Sequence, residues 1–132
     1  RGCKAPNYDA AHVSDCCDTL RAAGLREQVM IDVSHGNSGK RYQRQIEVAH
    51  DVAAQVAAGE RRITGVMIES NLVEGNQSLE AGKPLKYGQS VTDACINWDA
   101  TVPVLEELAA AVRARRKRLH AVPRVLDPAI GN

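Results

Sequence analysis

Two short apolar stretches constrain this chain more than anything else in it. Val29-Met30-Ile31-Asp32 and Val66-Met67-Ile68-Glu69 match in residue type and lie 37 residues apart. Each run suits a strand, and the stretch between them has helical periodicity. A spacing of this size is about one βα unit. Two such strands separated by a helix are expected to lie parallel, joined by a crossover. Four matching positions do not establish a duplication, but they put an acid at the same point of two successive strands.

The flanking sequence extends the alternation. Asp9 is placed to cap a helix over residues 10–23, with Val13, Cys16, Cys17 and Leu20 on one face and Gly24 as the stop. A strand is expected over 28–34. A helix over 40–58 carries Val48, Ala49, Val52, Ala53, Val56 and Ala57 at helical spacing and ends at Gly59. The second strand is expected over 63–70. Residues 71–89, with Gly75, Gly82, Pro84 and Gly88, read as a long loop of the kind that often serves function. A last helix has Leu105, Leu108, Ala109 and Val112 on its apolar side. Its acids, Glu106 and Glu107, come early and its bases, from Arg113 to Arg118, come late, in keeping with the helix dipole. The tail from Val122 is expected to be irregular.

About two parallel strands and three helices cannot close a sheet with both faces covered. A complete (β/α)8 barrel needs roughly 250 residues, and this chain has 132. The pattern therefore predicts an α/β fold that is the C-terminal portion of a (β/α)8 TIM barrel, or a partial α/β unit needing a partner, incomplete on its own. Residues 1–118 would form the βα units and 119–132 the tail.

Charge and composition narrow the function. A net charge of +1, three Tyr, one Trp and no Phe argue against a nucleic-acid surface. The longest apolar runs are too short to span a bilayer, and no signal-peptide core opens the chain. It begins Arg1-Gly2-Cys3 rather than with Met, so we expect processing or a missing beginning. Cys3, Cys16, Cys17 and Cys95 form no CxxC pair, which argues against zinc-ribbon and thioredoxin chemistry. Cys16 and Cys17 are expected to pack as small apolar groups, and the thiols to be reduced in a cytoplasmic protein.

Three side chains stand out. His35 follows the first strand at the Gly36-Asn37-Ser38-Gly39 turn; it is either a histidine held in that turn or a ligand for a transition metal. Glu69 ends the second strand, where a carboxylate needs a cation from a neighbouring element or a metal. Asp93 completes Ser90-Val91-Thr92-Asp93, a capping box that would start a helix, yet a carboxylate there can also face a site above the strand ends. Adjacent strands are about 4.8 Å apart, so groups ending both can reach a common ion. His35-Gly36-Asn37-Ser38-Gly39-Lys40-Arg41 lacks the glycine and hydroxyl positions of a phosphate loop. Asn76-Gln77-Ser78 is read as a chance glycosylation sequon, and the run from Arg113 to Arg118 as a solvated helix end. By itself the pattern supports a metal or anion site and no particular reaction.

Four stretches carry a resemblance to a known family: RGCKAPNY (1–8), VMIDVSHGNSGK (29–40), GVMIESNLVEGNQSL (65–79) and YGQSVTDACINW (87–98). In order and spacing they resemble the type I 3-deoxy-D-arabino-heptulosonate 7-phosphate (DAHP) synthases, and the likeness runs to about Arg116. It implies a (β/α)8 barrel that joins phosphoenolpyruvate to erythrose 4-phosphate and releases phosphate, opening the route to aromatic amino acids. It implies that His35, Glu69 and Asp93 are three of four protein ligands to a divalent metal, with His35 and Asp93 also catalytic. The fourth ligand, a cysteine on an early strand, would lie upstream of Arg1. Arg1 itself matches an arginine that grips the phosphoenolpyruvate phosphate. A set of His, carboxylate and thiolate suits Mn, Fe, Co or Zn better than Ca. The resemblance implies a homo-oligomer, with no nucleic acid or membrane as partner. The isolated chain is expected to be inactive. From another class comes the alternative of a non-catalytic remnant that binds metal or a partner.

Overall fold

The structure, a computed structural model, describes residues 5–121. Helix α1 (Ala10–Ala22) starts at Asp9, whose Oδ1 accepts the N–H groups of Ala11 and His12 at 3.1 and 3.2 Å. Such a cap satisfies donors the first helical turn leaves open. These bonds, led by the one from the His12 backbone, hold the Asp9 carboxyl below its usual range. The helix buries Val13 and Cys17. Cys16, expected on the same face, is exposed; the step of about 100° between successive helical residues turns it away from the core.

Strand β1 (Val29–Asp32) pairs in parallel with β2 (Ile63–Met67), as the alternation predicted. The register corrects one expectation. Ile31 lies opposite Val66 and Asp32 opposite Met67, so the two like tetrapeptides are offset by two residues. Asp32 and Glu69 are not at the same level. Glu69 lies beyond the end of β2, which is shorter than predicted.

After β1 the chain makes one helical turn, α2 (His35–Ser38), closed by Gly39 in the left-handed region. The expected helix over 40–58 begins later. Lys40 also takes a left-handed φ of 59°, and a 3-10 turn over Tyr42–Arg44 precedes α3 (Gln45–Ala58). A left-handed residue cannot continue a right-handed helix, which excludes residues 40–44 from α3. The predicted stripe does face inward: Val48, Ala49, Val52, Ala53 and Val56 are buried. They meet Val33 and Ile63 on one side and Val104 and Ala111 of α4 (Trp98–Ala121) on the other. Arg115 ties α4 to the entry of β2 by donating to Glu60 O at 2.8 Å.

The segment read as a long loop contains β3 (Val73–Asn76), paired in parallel with β4 (Gln89–Ser90). Gln77 braces it, accepting the Lys86 N–H at 2.8 Å and donating to Lys86 O and Gln89 O. Gly88 is required there: its φ is 76°, and an added Cβ would stand 2.7 Å from Leu72 Cβ.

The Ser90–Asp93 capping box is also corrected. Ser90 belongs to β4, and α4 begins at Trp98 with Asn97 Oδ1 accepting the Ala100 N–H at 2.8 Å. Asn97 has the right chemistry for a cap but is not followed by the acid at the third position that marked Ser90. Helix α4 continues through Ala121, past the boundary drawn at residue 118. Arg1, Cys3 and the tail from 122 lie outside the described residues.

Candidate metal centre

Each of the three singled-out side chains is carried by a different segment. His35 is delivered by the turn that follows β1. Its φ of 44° is left-handed, a conformation that costs a non-glycine residue about 1–2 kcal/mol. The surrounding contacts maintain it. Asp32 Oδ1 accepts the Ser34 N–H at 2.9 Å, and Asp32 Oδ2 lies 2.9 Å from His35 Nδ1. The buried Asn37 donates to Asp32 O at 2.7 Å and accepts the Asn7 N–H at 2.7 Å.

Glu69 is placed through its backbone. Gln45, only 1% exposed at the start of α3, accepts the Glu69 N–H at 2.7 Å and donates to Glu69 O at 3.1 Å. The same carbonyl accepts the Ile96 N–H at 3.0 Å, and Asn71 N–H returns to Ile96 O at 3.0 Å. Gly75 and Cys95 exchange a further pair of backbone bonds. These bonds fasten the segment after β4 beside the end of β2. That is how Asp93, far along the chain, reaches Glu69.

The result is a compact donor set. His35 Nε2 lies 3.3 Å from Asp93 Oδ2 and 3.8 Å from Glu69 Oε1. One donor atom from each of the three residues falls within 4.8 Å of the others. Ligands about 2.1 Å from a single first-row ion stand roughly 3–4 Å apart, so the distances from His35 Nε2 to the two carboxylates fit one metal. An imidazole nitrogen with two carboxylates favours a transition ion over Ca, which takes oxygen ligands. His35 and Glu69 are sheltered, whereas the Asp93 side chain is 64% exposed, leaving that side open.

A cavity of about 100 Å³ adjoins the donors, lined by Ser34, His35, Lys40, Tyr42, Asp93 and Ala94. A larger one, about 590 Å³, lies at the other end of β2 around Gln55 and Glu60–Arg62. It has none of the three donors, so volume alone does not locate the site. Cys95 is buried nearby, and burial, followed by the Glu69 charge, pushes its thiol up. Among the described residues it is not part of the donor group.

Sequence reading brought forward His35, Glu69 and Asp93, and the structure brings all three together. It missed Gln45, whose position just off the apolar stripe carried no signal. Lys40 and Tyr42 were likewise passed over. Asp32 was visible as the acid three residues before a histidine.

Residues 1–106 match the model of the DAHP synthetase I family. The chain is 58% identical over 116 residues to the Phe-sensitive phospho-2-dehydro-3-deoxyheptonate aldolase of Escherichia coli K12, covering 88% of this chain and 33% of that protein. It is 49% identical over 116 residues to the phospho-2-dehydro-3-deoxyheptonate aldolase of Haemophilus influenzae, covering 88% and 32%. The solved phospho-2-dehydro-3-deoxyheptonate aldolase of Francisella tularensis superposes with a TM-score of 0.83 at 50% identity, covering 88% of this chain and 34% of that one. The chain thus spans about a third of the length of the curated relatives it matches.

Proposed function

The chain belongs to the DAHP synthetase I family, and from that premise we propose that it supplies the metal-binding end of a DAHP synthase. The reaction is the condensation of phosphoenolpyruvate with erythrose 4-phosphate, releasing phosphate. The observation that carries this reading is the convergence of His35, Glu69 and Asp93, whose donor atoms lie within 4.8 Å of one another. The parallel β1–β2 pair, with His35 and Glu69 just beyond the strands' C-terminal ends, suits a C-terminal portion of a (β/α)8 barrel. Catalytic groups of such barrels gather at that end. The barrel's last βα units then run past residue 118 to the end of α4 at Ala121.

His35 Nε2, a Glu69 oxygen and an Asp93 oxygen would hold the divalent metal, which is Mn, Fe, Co or Zn on the donor chemistry. When bound, such an ion polarises a carbonyl and orients substrate. The protein groups do the rest. Asp32 and Gln45 hold two of the donors in place. Asp93, the most exposed of the three, is placed to take or return a proton at its carboxylate. Arg1 is assigned to the phosphoenolpyruvate phosphate on the family likeness, since guanidinium forks suit phosphate. Within this reading the enzyme is cytoplasmic and a homo-oligomer; no helix among the described residues is long and apolar enough to cross a membrane.

A second reading starts from Met30 of β1, an apolar side chain 67% exposed: a non-catalytic remnant that binds metal, or a partner through that face.

The experiment uses the protein that carries this chain, stripped of metal. Added Mn2+ is expected to restore consumption of phosphoenolpyruvate that depends on erythrose 4-phosphate. His35→Ala is expected to weaken Mn2+ binding by more than the roughly tenfold to hundredfold typical of losing an outer partner, with apo-protein unfolding little changed. Glu69→Gln should abolish turnover with near-normal thermal unfolding. Metal binding without turnover would favour the remnant, and unchanged Mn2+ affinity in His35→Ala would remove the metal centre.

A further inference from the structure

The geometry assigns Asp32 as the positioning residue of this centre: its carboxylate presents His35 with Nε2 free to bind the metal. The inference rests on the metal-centre reading above. Its own support lies in contacts on the far side of the imidazole. Asp32 Oδ2 stands 2.9 Å from His35 Nδ1, and both side chains are sheltered, at 13% and 19% exposure. A carboxylate only accepts hydrogen bonds, and the Asp32 contact, at 2.9 Å shorter than the 3.3 Å from Nε2 to Asp93, is the one that takes the hydrogen of the neutral ring. In the neutral ring the lone pair then sits on Nε2. Nε2 is the nitrogen that faces Asp93 and Glu69, at 3.3 and 3.8 Å.

The carboxylate is itself held. Its other oxygen accepts the Ser34 N–H at 2.9 Å, and its backbone carbonyl accepts from Asn37 at 2.7 Å. Asn37 is 1% exposed and anchors Asn7 at its other end. Asp32 is also the last residue of β1, so its position is set by the ladder with β2. The imidazole, by contrast, hangs from a backbone at φ 44°, with no strand pairing of its own. A rigid element therefore orients the ring through one side chain. Hydrogen-bonded carboxylates behind a ligating histidine fix its tautomer and raise its basicity.

The test compares the wild type with Asp32→Ala and Asp32→Asn in the protein that carries this chain. Three measurements are made: Mn2+ titration by calorimetry, visible absorption of the Co2+-loaded protein, and 15N NMR of the histidine rings without metal. Asp32→Ala is expected to lose about 10–100-fold in Mn2+ affinity and to change the Co2+ spectrum. The His35 ring should move from the Nδ1–H form to a mixture. Asp32→Asn retains an acceptor for the Ser34 N–H and is expected to fall between the two. It also keeps the test alive should the alanine variant fail to fold. If Asp32 merely supported the turn, Asp32→Asn would match wild type in metal affinity and tautomer, and that result would overturn the assignment. A wild-type His35 found as the Nε2–H form would do the same. A wild type that binds no Mn2+ defeats the metal centre itself; one that binds normally while both variants are unaffected defeats only the role of Asp32.

Discussion

Gln45 and Glu69 exchange two hydrogen bonds, 2.7 and 3.1 Å long, across the gap between the start of α3 and the chain beyond β2. Gln45 behaves there as a short piece of strand: its amide offers one acceptor and one donor to a backbone that has left its ladder. Gln45→Leu fills the same space without those groups. Each backbone group orphaned in a buried setting costs about 1–3 kcal/mol. Glu69 O keeps the Ile96 N–H, so Gln45→Leu orphans the Glu69 N–H alone; we expect it to lower the unfolding free energy by an amount in that range, measured by denaturant titration, and to weaken Mn2+ binding as well. A variant as stable as wild type would show that Glu69 is held by other means.

Lys40 takes a left-handed φ of 59°, which disfavours an L side chain. Glycine removes that strain but adds freedom to the unfolded chain. Lys40→Gly is therefore expected to be more stable than wild type by up to about 1 kcal/mol, and Lys40→Val less stable, because branched residues tolerate this region worst. Thermal unfolding of the metal-free protein checks the order Gly, Lys, Val; the reverse order would refute the turn geometry.

Glu60 accepts the Arg62 backbone N–H and, through both oxygens, the Arg62 guanidinium at 2.7–2.9 Å. The guanidinium bonds, opposed by burial, pull its carboxyl from an ordinary 4.5 to about 2. A folded-state value below the unfolded one means that the pair stabilises fully above about 4.5 and loses its effect as pH falls towards about 2. Unfolding measured against pH should show Glu60→Gln less stable than wild type at neutral pH, with the gap closing across that window. A gap that persists unchanged at pH 2 would contradict the ion pair.

The thiols should separate by reactivity. Cys16 is exposed, whereas Cys17 and Cys95 are 0% and 4% exposed. Burial pushes both buried thiols up, and the Glu69 charge adds to the effect at Cys95. Thiolate is the reactive form. In a Cys3→Ser background at neutral pH, a thiol reagent followed by mass spectrometry should mark Cys16 first and the other two only on unfolding. Equal rates at Cys16 and Cys95 would disprove the burial of Cys95.

Local chemistry accounts for what could be read ahead of the structure. The Asp9 cap and the α3 stripe of Val48, Val52 and Val56 depend on neighbours within a turn or two, and both were legible. So were the two apolar strands and their parallel pairing, because hydrophobic period and spacing carry that information. The three candidate ligands were nameable one by one, and the family likeness grouped them. Tertiary structure decided what remained. The two-residue offset between β1 and β2 is set by which residues meet across the ladder, Ile31 with Val66 and Asp32 with Met67. The choice of Asn97 over Ser90 as the helix start depends on backbone bonds from Glu69 and Gly75 to the segment around Cys95 and Ile96. The same bonds carry Asp93 to His35. Such contacts join residues far apart along the chain, and no local pattern specifies which distant donor an acceptor will meet.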